Sequence, residues 1–133
     1  MKAHIPPNPR CALLWRFGPG DAGYETLART ARLYRLTLRC VAQDELNTTV
    51  GDLCDGKAAV AAAPAPTAPA LPALIISGLR HDNGELNDFL DAVRQGGADI
   101  ALRAMVTPTS RSWPLAQLLV ELAAERAAVE API

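Results

Sequence analysis

Apolar and polar positions follow a pattern that occurs twice along this chain. The strand-like stretch at residues 13–17 is echoed by residues 75–79, and the stretch at 36–40 is echoed by 100–104. In each half, apolar residues at helical spacing lie between the two strand-like stretches, and a shorter helical pattern follows. The sequence therefore predicts two strand–helix–strand–helix units.

The first unit begins with a strand that is apolar on both faces. Over residues 11–17, strict alternation places Leu13, Trp15 and Phe17 on one face. Ala12 and Leu14 then occupy the other face, which is typical of a central strand covered on both sides. The rest of the unit is predicted as a helix over 21–34, a strand over 36–41 and a weak helix over 44–54.

The second unit has clearer boundaries. A buried strand is predicted over residues 74–77, and Asp82 with Glu85 resembles a capping box at the start of the next helix. Gly96 and Gly97 are expected to end that helix. The pattern continues with a strand over 100–106 and a helix from about Ser112 that packs through Leu115, Leu118, Leu119 and Leu122.

These elements favour an α/β fold with two βαβα pseudo-repeats around one four-stranded sheet. Strands one and three are apolar on both faces and belong at the centre, whereas Arg39 and Arg103 suit edge strands. A parallel, doubly wound sheet of order 2-1-3-4 fits best, because helices must cover both faces. A ferredoxin-like α/β sandwich is the alternative, since it also places strands one and three centrally.

Two segments stand outside this pattern. Residues 1–10 form a Pro-rich tail that is expected to be disordered. Residues 58–72 are rich in proline and alanine, which excludes a helix or a central strand and predicts a surface linker. With 133 residues in all, the chain is long enough for one core, so 11–133 is predicted to be a single domain interrupted by this linker.

Charge and cysteine content narrow the class of protein. Thirteen basic and fourteen acidic side chains give a net charge of −1, which disfavours nucleic acid as a partner. No stretch predicts a membrane-spanning helix or a signal peptide, so we expect no membrane partner and a cytoplasmic location. Cys11, Cys40 and Cys54 are odd in number and lack metal-ligand spacing, which predicts small buried hydrophobic residues.

The second half resembles a known family. The run from Leu102 to Trp113, followed by Leu115, Leu118, Leu119 and Glu121, resembles the closing signature of the domain of unknown function 3783 (DUF3783) family. The stretch 74–79, followed by Glu85-Leu86 and Phe89-Leu90, is similar to that family's strand and helix. The resemblance extends over most of 13–125 and is strongest after Leu74. It implies a small bacterial protein and no established activity.

Residues that could perform catalysis are sparse. His4 lies in the tail and His81 in a turn, so a triad or a metal site would depend on His81 alone. A phospho-receiver needs an aspartate at the end of strand three, where this chain has Ser77. The sequence therefore predicts no catalytic residues, no metal site and no cofactor, and it favours a protein that is not an enzyme.

One glycine-rich turn matches the dinucleotide-binding pattern. Gly18, Gly20 and Gly23 follow a predicted strand and open a helix, as in G-x-G-x-x-G. Pro19, however, removes a backbone N–H from the turn that would face phosphate. A dinucleotide site is therefore the weaker interpretation, and a Gly/Pro turn is the stronger one.

The loop before the last helix is the other candidate site. It carries hydroxyls, a guanidinium and an indole that could hold an anion at a helix N-terminus, supplied by Thr107, Thr109, Ser110, Arg111, Ser112 and Trp113. The alternative is structural, with Ser112 as helix cap, Pro114 in the first turn and Trp113 covering the core edge.

Two functions of different class follow. The first hypothesis is a non-enzymatic interaction or regulatory module with a protein partner, favoured because the chain has a complete core and few catalytic groups. The second is a domain that binds a small anionic ligand or a nucleotide through the loop before the last helix.

Overall fold

The structure is a computed structural model that describes residues 10–57, 67–80 and 82–130. Of the predicted tail and linker, residues 1–9 and 58–66 lie outside this range. The described residues form, in chain order, β1 Cys11–Trp15, α1 Tyr24–Leu33, β2 Thr37–Val41, α2 Val50–Cys54, β3 Ala73–Ser77, α3 Glu85–Gln95, β4 Leu102–Met105 and α4 Leu115–Glu130.

The four strands form one open sheet in the order β2-β1-β3-β4. The predicted α/β class and strand order are confirmed, with β1 and β3 at the centre and β2 and β4 at the edges. The ferredoxin-like alternative is not formed, because β1 lies directly beside β2, whereas a split βαβ unit has a strand between them.

The prediction that all strands run parallel was wrong at the centre of the sheet. β2 is parallel to β1 and β4 is parallel to β3, but β1 and β3 are antiparallel. Apolar residues on both faces of a strand require helices above and below the sheet, and a mixed sheet meets that requirement as well as a parallel one. The chain re-enters the sheet at Ala73, opposite Trp15 at the carboxyl end of β1, which sets the antiparallel direction.

A pseudo-two-fold axis relates the two units. It passes between Leu13 and Ile75, which face each other at the middle of the β1–β3 pair. It also passes through an isolated antiparallel bridge between Thr49 and Pro114. At that bridge the N–H of Val50 donates to the carbonyl oxygen of Trp113 (2.9 Å), and the N–H of Leu115 donates to that of Thr48 (3.0 Å).

The axis corrects the alignment of the two repeats by one residue in the edge strands. Thr37 and Leu102 occupy equivalent positions beside the first residues of β1 and β3. Arg39 therefore corresponds to Ala104. The alignment of 36–40 with 100–104 in the sequence analysis pairs Arg39 with Arg103 instead. A shift of one residue changes the face on which a side chain lies, so Arg39 and Arg103 lie on opposite faces of the sheet.

Helices cover the sheet on both sides. On the α2/α4 face the core contains Leu13, Trp15, Ile75 and the buried residues of α2 and α4; on the α1/α3 face it contains Ala12, Leu14, Leu74, Ile76 and those of α1 and α3. Phe17 belongs to the α1/α3 face, contrary to the predicted alternation. Arg16, just after β1, has a left-handed backbone (φ 53°), which ends the alternation before Phe17.

The helix starts differ from the prediction in two places. α3 begins after Gly84 in the left-handed conformation, and Asp82 pairs with Arg80 instead of capping the helix. Ser112 lies in a 3-10 turn, Ser110–Ser112, and donates to the carbonyl oxygen of Thr109 (3.0 Å). The weak helix predicted at 44–54 is divided into a 3-10 turn, Gln43–Glu45, and the short α2.

Candidate functional site

The hydroxyls of the predicted anion loop bond within the loop itself. The N–H of Thr107 donates to Oγ of Ser110 (2.9 Å), and the N–H of Ser110 donates to Oγ1 of Thr107 (3.0 Å). Trp113 is half-buried and packs against the core of the α2/α4 face. This reciprocal pair sets the shape of the loop and directs the next residue, Arg111, toward α2.

Arg111 contacts the end of α2. Its Nη2 lies 2.9 Å from Oδ2 of Asp55, and its side chain packs on Gly51, where an added Cβ would lie only 3.1 Å from Nη2. The other terminal nitrogen, Nη1, is buried and has no hydrogen-bond partner among the residues that the structure describes. This nitrogen therefore has hydrogen-bonding capacity that no described residue uses.

The N-terminal amides of α4 are already occupied. Leu115 N–H donates to Thr48 and Ala116 N–H to the carbonyl oxygen of Leu46 (3.1 Å). An anion in this loop would depend on Arg111 and not on free amides of α4. Anion binding by residues 107–113 stays a prediction.

The glycine-rich turn is closed on itself. The N–H of Gly18 donates to Oδ2 of Asp21 (2.8 Å), and the N–H of Asp21 donates to the carbonyl oxygen of Gly18 (3.0 Å). Gly20 has a left-handed backbone (φ 99°), and Gly23 begins α1 with φ 87°. These contacts account for all three glycines as turn residues, and the dinucleotide site stays a prediction.

The structure brings together four side chains that the sequence analysis treated separately. Cys11 and Ser77 face each other across the β1–β3 pair, and Cys54 lies at the end of α2 in the same core. The Cys11 and Cys54 thiols lie near enough to affect each other's pKa, and Arg111 lies close enough to act on Cys54 by its charge. We refer to Cys11, Cys54, Ser77 and Arg111 as the thiol cluster.

The two thiols of this cluster differ in acidity. The hydrogen bond with Cys54, together with burial, raises the pKa of Cys11 strongly. The same bond lowers the pKa of Cys54, and the charge of Arg111 and the Ser77 hydroxyl add to that effect against the opposing effect of burial. Cys54 is therefore the thiol that ionises first, with Cys11 as its hydrogen-bond donor.

The thiol cluster leaves little signal in the sequence. Its members come from four separate elements, and only the antiparallel β1–β3 pairing places Cys11 beside Ser77. Cys11 and Cys54 are buried, as predicted, but Cys40 is exposed. Its Sγ lies 3.8 Å from the carbonyl oxygen of Phe17, in the edge strand β2 and on the same face of the sheet as Leu14.

A second candidate site is the outer edge of β4. Leu102 N–H donates to Pro72 O (3.0 Å) and Val106 N–H to Ile76 O (2.8 Å), so alternate residues of β4 pair with β3. The main-chain groups of Arg103 and Met105 therefore point away from the sheet, and in the described part of the chain no strand pairs with them. Beside them lies a depression of about 190 Å³, lined by Ile76, Leu86, Leu90, Arg103, Ala104 and Met105.

The other edge strand, β2, also carries an arginine, and its contacts are different. Arg39 in β2 donates through Nη1 to the carbonyl oxygens of Leu53 (3.1 Å) and Lys57 (3.0 Å) at the end of α2. Its Nη2 lies 2.7 Å from Oε2 of Glu45. Arg39 therefore has a structural role that Arg103 does not share, because Arg103 is exposed and makes no ion pair with any described residue.

Comparison with known proteins identifies the second unit. Residues 72–129 match the family described as Domain of unknown function (DUF3783). This part of the chain is similar to that family, and we refer to residues 72–129 as the DUF3783 domain. It contains β3, α3, β4 and nearly all of α4, and therefore both Ser77 and Arg111 of the thiol cluster, while Cys11 and Cys54 lie outside it.

The DUF3783 match agrees with the resemblance seen in the sequence where that resemblance is strongest. The first unit lies outside the matched residues. No curated protein and no solved structure matches the chain. Among the described residues, no helix, including those of the DUF3783 domain, is both long and apolar enough to cross a membrane. His4 and His81, the histidines considered for chemistry, lie outside the described residues.

Proposed function

We propose that this chain is a non-enzymatic interaction module that binds an extended segment of a protein partner along β4. The observation that carries the proposal is the unpaired edge of β4, where the main-chain groups of Arg103 and Met105 point outward. An extended peptide adds to such an edge by main-chain hydrogen bonds, and neighbouring pockets select its side chains. The family resemblance and the composition support placing this activity in the bacterial cytoplasm.

The pockets beside β4 favour particular side chains in the partner. The depression between Leu86, Leu90 and Met105 is apolar and, at about 190 Å³, has the size of a side chain and not of a cofactor. Arg103 borders it and supplies an exposed positive charge. Arg103 and Met105 lie on the same face of β4, so a partner strand would place an acidic and an aliphatic residue two positions apart on that face.

Pairing with a second copy of this chain is disfavoured by the same arginine. Two β4 strands that pair through their edges would bring two Arg103 side chains close together, and like charges opposite each other on a sheet are destabilising. Arg126 lines an adjoining depression with Arg103 and the acid Asp99, and Arg94, which also lines it, is paired with Asp91. Arg103 makes no ion pair with any described residue, and its charge favours an acidic partner.

Selection of peptides tests this proposal. A random peptide library displayed on phage is enriched on the wild-type chain, and the selected peptides are then measured on Arg103→Glu and on Arg29→Glu. Arg29 is an exposed residue of α1, so its reversal makes the same charge change far from β4. We expect peptides with an acidic and an aliphatic residue two positions apart, and about tenfold weaker binding to Arg103→Glu alone, equivalent to about 1.4 kcal/mol.

Backbone methylation distinguishes strand addition from binding by side chains only. N-methylation at alternate residues of a selected peptide removes the amides that face β4, and we expect it to abolish binding, while methylation at the intervening residues is tolerated. A peptide that binds both charge variants equally, or that tolerates methylation at every position, would contradict the proposal.

One observation favours a second candidate function, the binding of a small anion or nucleotide by residues 107–113. Arg111 Nη1 is buried and has no hydrogen-bond partner among the described residues. A thermal-shift series with inorganic phosphate, nucleotides and dinucleotides tests it. A ligand at about 100 times its Kd adds roughly 2.7 kcal/mol of stability. We expect Arg111→Gln to abolish such a shift, and its persistence in that variant would exclude the loop as the site.

A further inference from the structure

The thiol cluster joins two buried sulfurs that belong to different elements. Cys11 begins β1 and is 2% exposed, and Cys54 ends α2 and is 7% exposed. Both side chains lie in the same core on the α2/α4 face, near enough for each thiol to affect the pKa of the other. Two neighbouring buried thiols can join in a disulfide once one of them is oxidised.

The surroundings of Cys54 are more polar than an ordinary core. The Ser77 hydroxyl is 1% exposed and has no hydrogen-bond partner among the described residues, and it lies near enough to Cys54 to affect the pKa of that thiol. Arg111 also acts on Cys54 by its charge; its Nη1 is unpartnered among the described residues and its Nη2 is held by Asp55 at 2.9 Å. A buried polar atom without a partner is costly, and two of them belong to the residues around Cys54.

The pseudo-two-fold axis provides an internal control for this cluster. The axis at the bridge between Thr49 and Pro114 makes Cys54 equivalent to Leu119 and Arg111 equivalent to Leu46. The same axis, at the centre of the β1–β3 pair, makes Cys11 equivalent to Ala73 and Ser77 equivalent to Trp15. All four equivalents are buried apolar residues, namely Ala73, Trp15, Leu46 and Leu119. The fold therefore packs well with an apolar cluster at the symmetry-related position. Packing alone does not require polar residues in the thiol cluster.

We propose that Cys11 and Cys54 form an oxidisable dithiol that closes to a disulfide on reaction with hydrogen peroxide. The Cys54 thiolate attacks one peroxide oxygen, the O–O bond breaks, and the departing hydroxide takes a proton to become water. This leaves a sulfenic acid on Cys54. The Cys11 sulfur then attacks the Cys54 sulfur, the S–O bond breaks, and the leaving hydroxide takes the Cys11 proton.

The complete reaction consumes two thiols and one peroxide and gives one disulfide and two waters. Both sulfurs are oxidised and both peroxide oxygens are reduced. Arg111 stabilises the attacking thiolate by its charge, and the Ser77 hydroxyl, which no described residue engages, has a proton to donate to the thiolate once it forms. Cys40, which is exposed and lies in another part of the sheet, takes no part in this pair.

Mass spectrometry of peroxide-treated protein tests the proposal. The full chain with Cys40→Ser is treated with hydrogen peroxide, quenched with catalase, unfolded and alkylated with N-ethylmaleimide. We expect the loss of two hydrogen atoms, no alkylation, and a cross-linked peptide pair that contains Cys11 and Cys54. When Cys11→Ser is added, we expect a Cys54 sulfenic acid that dimedone captures. Complete alkylation of both cysteines after treatment of the Cys40→Ser chain would overturn the proposal.

Because both thiols are buried, disulfide formation in the folded protein must be distinguished from oxidation of transiently unfolded chains. Arg111→Gln removes the charge beside Cys54, and Leu119→Ala weakens the core at the equivalent position without touching the thiols. We expect Arg111→Gln to slow disulfide formation severalfold and Leu119→Ala to leave it nearly unchanged. If both variants accelerate it instead, the reaction proceeds through unfolding and the dithiol of the folded protein is not the reactive species.

Discussion

Gly23 and Gly84 begin α1 and α3 with almost the same left-handed backbone, at φ 87° and φ 85°. Their surroundings differ. A Cβ at Gly23 would overlap the main chain of Gly97 and Ala98, whereas a Cβ at Gly84 would meet open space. At Gly23, glycine is required both by the left-handed backbone and by the close approach of the residues that follow α3. At Gly84, it is required by the left-handed backbone alone.

This pair yields a matched prediction for stability. We expect Gly84→Ala to lower the free energy of unfolding by about 1 kcal/mol, the usual cost of a left-handed non-glycine residue. Gly23→Ala should cost at least about 2 kcal/mol more, because the backbone near Ala98 must also move. Urea denaturation followed by circular dichroism measures both, and equal losses in the two variants would contradict the contact at Gly23.

A second prediction concerns acid and the pair of Arg39 with Glu45. Burial acts to raise the pKa of Glu45, but the Ala42 N–H and Arg39 outweigh it and the pKa lies below its ordinary value. The charged carboxylate therefore stabilises the fold above its unfolded pKa of about 4.5, and that contribution is lost as pH falls through the folded pKa. We expect Glu45→Gln to be about 1 kcal/mol less stable at pH 7.

The measurement is the free energy of unfolding between pH 7 and pH 3. The wild-type chain should lose stability more steeply below about pH 5 than Glu45→Gln does. Asp44→Asn, which changes the adjacent carboxylate in the same turn, is the control. Parallel pH curves for the wild type and Glu45→Gln would show that the pair contributes nothing.

α4 connects the two units through its first turns and reaches solvent at its end. Leu115 and Leu119 are fully buried, while Val129 is 86% exposed. We expect Leu119→Ala to cost about 3 kcal/mol by leaving a cavity, and Val129→Ala to change stability by less than about 0.5 kcal/mol. Thermal unfolding of the two variants measures the difference, and a similar loss from both would place the core contacts of α4 elsewhere.

The strands, helices and strand order were predictable because they depend on apolar spacing. The inner residues Leu27, Phe89 and Leu119 are all buried at the positions that helical periodicity gives. The direction of β3 relative to β1 was not predictable, since strands apolar on both faces fit either direction. Phe17 was placed on the wrong face because alternation carries no information about the left-handed Arg16.

The candidate sites were less predictable than the fold. Arg111 and Ser110 were singled out from the sequence, but their partners Asp55 and Thr107 could be assigned only with coordinates. The thiol cluster depends on the antiparallel β1–β3 pair, which was predicted in the other direction. The β4 edge was inferred correctly from Arg103, although its equivalence with Arg39 was wrong by one residue.

The pseudo-two-fold axis makes each unit the partner of the other. β3 pairs with β1 through its whole length, and the N–H groups at the start of α4 bond to Thr48 and Leu46 of the first unit. The DUF3783 domain alone, residues 72–129, therefore exposes one edge of β3 and part of its core. A second copy can supply equivalent strands and helices in the same orientation.

The isolated second unit tests this symmetry. We expect a fragment of residues 67–133 to form a homodimer in which two β3 strands pair antiparallel about Ile75. Size-exclusion chromatography with light scattering measures the mass. Ile75→Lys, at the centre of the pair, should prevent the dimer, whereas Val129→Lys should not. A folded monomer would contradict the dependence of one unit on the other.

The presence of both units in one chain changes what a substitution does to the molecule. In a symmetric dimer every substitution appears at both related positions, so a buried polar atom without a partner would destabilise the assembly twice. A single chain with two units accepts that cost once, as at the Ser77 hydroxyl and Arg111 Nη1, while Trp15 and Leu46 keep the related positions apolar. One half-site can then secure folding while the other carries chemistry.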